Sequence, residues 1–225
     1  RIKGEKSEEI AMTKRAVYFF ENVGEENTDE VIEAVAKRAR EGDIEAVIVA
    51  SIWGRTAVKL AENLKESGLK LRAVCVSGPP SWQQYPEYKF PLIKEKERKK
   101  LDALEVQVVD WIEEPFKPLT FRNWWEKKTI EMRRPESDLF WMTLICVGGH
   151  GLRTAVEVVF MAVEAGVIRV SQRVVGVAGT GEGADSAVVM KASRFEDAVG
   201  PDPGKRLKIE EILAMPKQTT WAGYG

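Results

Sequence analysis

Histidine is almost missing from this chain, occurring once, and cysteine occurs only twice in 225 residues. One histidine and two isolated cysteines cannot assemble the usual zinc cage, so no metal centre is expected. Cys75 and Cys146 sit in apolar surroundings (AVCV and LICVG) and are expected as small buried hydrophobes of a reducing compartment. Charge of one sign is lacking too. A formal net charge of −1 gives no general pull toward nucleic acid or an anionic membrane. The N-terminal residues RIKGEKSEEIAMTKR hold no apolar core of a signal peptide, which leads us to expect a cytoplasmic location. The longest apolar run, residues 139–147, is too short to cross a bilayer. Finally, no serine stands in the G-x-S-x-G pattern of a nucleophile elbow.

What the chain does have is organised around residues 45–64, EAVIVASIWGRTAVKLAENL. Val47, Ile48 and Val49 form a β-branched apolar run that reads as a strand buried on both faces. The turn Ser51-Ile52-Trp53-Gly54 follows, and then Ala57, Val58, Leu60, Ala61 and Leu64 recur at helical spacing. Strand, glycine turn and helix aim unpaired backbone N–H groups beyond the strand, where an anion such as phosphate is favoured. Ser51 and Thr56 offer hydroxyls there and Arg55 a guanidinium fork. A capped βα turn without a ligand has the same spacing, so the remaining loops must decide.

Elsewhere, strands are expected at 16–20, 71–76, 106–109, 173–178 and 186–190, and helices from Asn27 or Thr28 to Arg40, over 94–104, 139–147 and 152–165. Glu30 stands three residues after Asn27, as the acid of a capping box would. Alternation of this kind implies βαβ units, a mostly parallel sheet and one α/β domain across 1–225. Residues 1–14 read as a solvated arm or a short helix, and 211–215 as an edge strand or short closing element. GTGEGAD between the strands at 173 and 186 suits a hairpin tip, which makes that pair antiparallel. The Trp-rich insertion 110–135 is too long and aromatic for a plain connection. It reads as an arm packed on the sheet or on another subunit of a homo-oligomer, or as a lid over a ligand.

Ligands of open parallel sheets bind outside the carboxyl ends of the strands. Asn22, Ser51–Thr56, Ser77 and the loop of Gly179 and Thr180 fall on that edge, and Gly148-Gly149-His150-Gly151 supplies a third glycine-bearing turn. Several such loops on one edge argue for a site.

These segments resemble a known family. SIWGRTA looks like the phosphate-gripping turn of the C-terminal α/β domain of pyruvate kinase, and GTGEGADSAVV is similar to that domain's glycine-rich loop. The free-standing archaeal and bacterial pyruvate kinase α/β domain-like proteins are closer still, sharing the pattern seen here as ENVGEENT, VIVASIWGRTA, GHGLRTAVEVVFMAVEAG, GADSAVV and ILAMP. The likeness covers most of 16–217. It implies a three-layer α/β/α fold with an antiparallel C-terminal hairpin, and no kinase activity, since the catalytic barrel domain of pyruvate kinase has no counterpart. It also implies flavin mononucleotide (FMN) as the cofactor or ligand. On motif position Ser51, Gly54, Arg55 and Thr56 would hold phosphate, with Asn22, Ser77, His150 and Thr180 as wall or polyol contacts. Trp53, Gly149 and Gly179 would lie at the ligand in the same turns. The implied function is a binding module for a phosphorylated small molecule, the alternative being an FMN-dependent enzyme whose catalytic residues are unknown.

Two residues keep a double reading. His150 is either an acid/base or phosphate partner, or a turn residue hydrogen-bonded where two helices meet. Asp185 is either an acid in the site or a structural aspartate. Glu25 and Glu182 read as loop charges.

Overall fold

The computed structural model describes residues 13–111, 119–123, 128–132 and 135–217, with 119–138 described by their backbone alone. The elements run β1 (Tyr18–Phe20), α1 (Thr28–Ala39), β2 (Ala46–Ala50), α2 (Arg55–Glu66), β3 (Arg72–Val76), α3 (Glu95–Ala103), β4 (Gln107–Val109), β5 (Leu119–Asn123), β6 (Lys128–Met132), α4 (Pro135–Glu164), β7 (Arg173–Ala178), β8 (Ser186–Lys191) and β9 (Lys208–Pro216). Seven strands form one mixed sheet in the order β1-β9-β8-β7-β2-β3-β4, and β5 pairs with β6 as a separate antiparallel ribbon. The chain therefore has an α/β fold.

β2 occupies the centre because its β-branched residues fit a position covered on both faces. Val47, Ile48 and Val49 are all fully buried. β2 runs parallel to β3 on one side (Val47 opposite Ala73) and parallel to β7 on the other (Val47 opposite Val175). The β7–β8 pair is antiparallel, as the glycine-rich tip between them required. One face of the sheet is covered by the apolar stripes of α1, α2 and α3, through side chains such as Val31, Val35, Leu60, Leu64 and Leu101. The other face is covered by the second half of α4, through Leu152, Val156, Val159 and Phe160.

Four expectations change. First, β9 is neither an edge nor a short closing element. It is a nine-residue strand between β1 and β8, and the edge is β1. Second, Asn27 is already in helical conformation because a 3₁₀ turn over Glu25–Asn27 leads into α1. Its side chain makes no cap bond and instead donates to the carbonyls of Asn22 (2.9 Å) and Gly24 (3.3 Å). Third, the helix expected over 139–147 begins at Pro135, while the break between it and the second apolar helix falls where GGHG was read as a turn: Gly148 and Gly149 leave helical backbone inside α4, the latter at φ 76° where a side chain would strain the backbone. By length and composition Leu139–Glu164 would cross a membrane, yet 72% of its apolar window is buried inside the molecule, as in a core helix. Fourth, Cys75 is buried but Cys146 is exposed, on the first arm of α4 beside exposed Met142 and Val147. Residues 1–12 of the expected arm and half of the Trp-rich insertion lie outside the described residues.

Candidate functional site

The connections from β2 to β3 and from β3 to β4 pass over the face that carries α1, α2 and α3. The second arm of α4 leads into β7 along the opposite face. The chain thus parts at the carboxyl ends of β2 and β7, the kind of crevice where open α/β sheets take ligands. A cavity of about 730 Å³ opens there, within the range of small-molecule sites.

Four groups of residues line it. The first is the β2–α2 turn, with Ser51, Trp53, Arg55 and Thr56. Gly54 makes this turn possible by adopting φ 81°. A Cβ on it would meet Leu101 Cδ1 at 3.2 Å and Ile93 Cγ2 at 3.3 Å, so Gly54 faces α3 rather than the cavity. Buried Ser51 accepts a long hydrogen bond at Oγ from the Ala57 N–H (3.4 Å), which partners one donor of the first turn of α2. The Arg55 and Thr56 N–H groups find no partner among the described residues. The Arg55 guanidinium stands across the mouth from Glu182, Nη2 to Oε2 3.0 Å, with both side chains more than half exposed. Glu182 and Glu25, read from sequence as loop charges, both line the cavity.

The second group is aromatic. Trp53 stacks on Tyr88 with ring centroids 5.9 Å apart and planes 15° apart, and Trp82 lies 4.5 Å from Tyr88. All three line the cavity, together with Trp111, the described aromatic of the Trp-rich insertion. Flat walls of this kind suit the face of a planar ring. Sequence reasoning missed Trp82 and Tyr88, because the loop that carries them has no periodicity to place its side chains.

The third group comes from β3 and β7. Buried Ser77 continues β3, its N–H donating to the Val109 carbonyl (3.0 Å), and Gly179 opens the loop after β7. Thr180 and Asn22 lie on the same edge but outside the lining. Fully buried Asp185 explains Thr180: its Oδ2 accepts from the N–H groups of Thr180 (2.9 Å) and Gly24 (3.0 Å), and its Oδ1 from the Ser186 hydroxyl (2.8 Å). Asp185 is the rivet between two loops, which is the structural reading of that residue.

The fourth group is the second arm of α4: His150, Arg153, Thr154 and Glu157. His150 begins this arm just past Gly149, which lies at the bend and not in the lining. The hydrogen bond that the turn reading called for is not there among the described residues, and His150 belongs to the cavity lining. Arg153 Nη2 donates to Glu157 Oε1 (2.8 Å), while Glu157 Oε2 is buried without a partner. Burial pushes the Glu157 carboxyl up to about 7, and the Arg153 charge only partly opposes this. Arg153 and Glu157 were not foreseen, although two charges one turn apart inside an otherwise apolar helix are a legible signal.

Of the residues expected at a ligand, the fold brings Ser51, Trp53, Arg55, Thr56, Ser77, His150 and Gly179 to one cavity, and leaves Asn22, Gly54, Gly149 and Thr180 beside it. Among the described residues no three His, Cys, Asp or Glu side chains come together as metal ligands. No family model matches the chain.

Proposed function

We propose that the chain is a binding module for a phosphorylated ligand with a planar ring, FMN above others, on a scaffold of the pyruvate kinase C-terminal type without kinase activity. One juxtaposition carries the reading: unpartnered N–H donors of α2 and Arg55 share a cavity with the aromatic wall of Trp53, Trp82, Tyr88 and Trp111. Helix N-termini favour anions and aromatic faces favour flat rings, so a molecule with a phosphate at one end and a fused ring at the other uses both. Ser77, Thr154 and Ser51 line the same cavity and offer hydroxyl partners to a polyol chain. The scaffold reading is supported by the glycine-rich loop between antiparallel β7 and β8 lying next to the first turn of α2.

The test is fluorescence titration with FMN and riboflavin, which differ by the phosphate alone. FMN should bind about 10- to 100-fold more tightly, the worth of a charge-assisted hydrogen bond. Arg55→Ala should remove most of that gap while leaving riboflavin affinity unchanged. Equal affinity of the two flavins for the wild-type protein removes the phosphate grip, and no binding of either removes the flavin.

A flavoenzyme on the same scaffold is the second reading, favoured by His150 and Glu157 as two proton-carrying groups in one cavity. Its mark would be reduction of the bound flavin by a nicotinamide or other hydride donor at a rate above that of free FMN.

A further inference from the structure

Among the described residues Glu157 Oε2 is the buried carboxylate oxygen left without a hydrogen bond. Its surroundings give no structural reason for the charge. The residues flanking it on α4, Ala155, Val156, Val158, Val159 and Phe160, are fully buried and apolar. Its single partner among the described residues, Arg153, belongs to the same helix one turn earlier, so the pair ties no two elements together. An aliphatic residue would pack this position at least as well.

Arg153 is held in place independently of the carboxylate. Its guanidinium carbon stands 4.9 Å from the centroid of the Trp141 ring, a cation–π contact that fixes the fork. Both residues belong to the cavity lining: Arg153, with its N–H donors, and Glu157, whose buried Oε2 finds no partner among the described residues. A sugar hydroxyl can satisfy either one. A ring edge on which a carbonyl adjoins an N–H satisfies both at once, in one plane.

We infer that Arg153 and Glu157 read the lactam or imide edge of the ligand's ring, Glu157 Oε2 accepting from the ring N–H and Arg153 donating to the neighbouring carbonyl. This rests on the reading of the cavity as a site for a phosphorylated planar-ring ligand, and narrows it. The ligand carries an N–H flanked by carbonyl, as the isoalloxazine ring does, and a sugar phosphate without such a ring leaves Glu157 unsatisfied. Sites that hydrogen-bond a ligand N–H reject analogues lacking it, because the buried acceptor is then left bare.

The experiment compares FMN with its 3-methyl derivative, in which a methyl group replaces the imide proton and the phosphate is untouched. Wild-type protein should bind the methylated flavin about 10- to 100-fold more weakly. Glu157→Met should lose a similar factor for FMN and lose nothing further for the methylated flavin. Its ligand-free unfolding midpoint should be equal to or above that of wild type, which a residue kept for packing would not allow. Glu157→Gln, which keeps an acceptor oxygen, should hold part of the FMN affinity. Equal binding of FMN and 3-methyl-FMN to wild-type protein overturns the inference and leaves the wider reading standing. Failure of wild-type protein to bind either flavin overturns both. Should Glu157→Met not fold, the comparison of the two flavins on wild-type protein decides alone.

Discussion

The two ends of the central sheet handle charge in opposite ways. At the amino ends of β2 and β7, Arg38 from the last turn of α1 is 5% exposed and yet saturated. It forks onto Asp43 (2.6 and 3.0 Å) and onto Glu211 of β9 (2.8 to 3.1 Å), and Arg173 adds Asp43 (2.8 Å) and Glu210 (2.6 Å). The hydrogen bonds from Arg38 hold the Asp43 carboxyl well below the usual carboxylate range, and Arg38 itself is raised. At the carboxyl ends, two N–H groups of α2 and one oxygen of Glu157 have no partner among the described residues, and Arg55 has only an exposed one there. Saturation makes the first end a fastening. The shortfall at the second is what a bound molecule would make good, so the contrast separates residues kept for stability from residues kept for a ligand.

The largest way to break the contrast is at the fastening. Arg38→Met leaves Asp43 only Arg173 and Glu211 only Arg15, and should cost about 3 kcal/mol, the low end for a broken buried pair, seen as a lower denaturation midpoint at unchanged m, with flavin affinity unaltered. Arg38→Lys should recover little, since an ammonium cannot fork onto two carboxylates.

At the other end the sign reverses. Glu157 titrates near 7 when folded against 4.5 when unfolded, so it costs nothing below pH 4.5. As pH rises from 4.5 to 7 the unfolded chain gives up this proton first, and stability falls by up to about 3 kcal/mol. Glu157→Gln should remove that slope, leaving the variant more stable than wild type at pH 8 and level with it at pH 4. A parallel decline in both proteins would mean that the carboxyl is not the source.

Asp185 sharpens the comparison, because it lies at the carboxyl end and is wired like the amino end. Asp185→Asn keeps an acceptor for Gly24 and Thr180, and should lower stability by about 1 kcal/mol while FMN affinity stays within threefold. A large loss of binding at unchanged stability would move Asp185 into the site. The smallest effect belongs to Glu182→Gln, which frees an exposed Arg55. Stability should move by less than about 0.5 kcal/mol, and FMN should bind a fewfold more tightly.

The organising stretch was legible because β2 and α2 each carry a strong local pattern: three β-branched residues, then an apolar stripe of 3.6-residue period. The cavity edge followed from those strand ends. β9 was misplaced because Glu210 and Glu211 look like solvent-facing charges until Arg173 and Arg38 arrive from distant parts of the chain. Glu157 was legible as a charge inside an apolar helix but not as a cavity residue, since nothing local says that its side of α4 faces a cavity. In each case the missing information was a contact across the fold, which no window of sequence contains.

The unequal cysteines have a consequence for how motion in this protein can be timed. Burial pushes the Cys75 thiol up to about 12 and closes it inside β3, while Cys146 is open to reagent. The native chain therefore carries one fast thiol and one that reacts only when the sheet opens beside β2. Blocking Cys146 first leaves Cys75 as a clock on that opening, read by mass, with no label introduced by mutation. Since β3 ends at Val76, which lines the cavity together with the next residue Ser77, a molecule seated there should slow the clock in proportion to how much of the central sheet it holds shut.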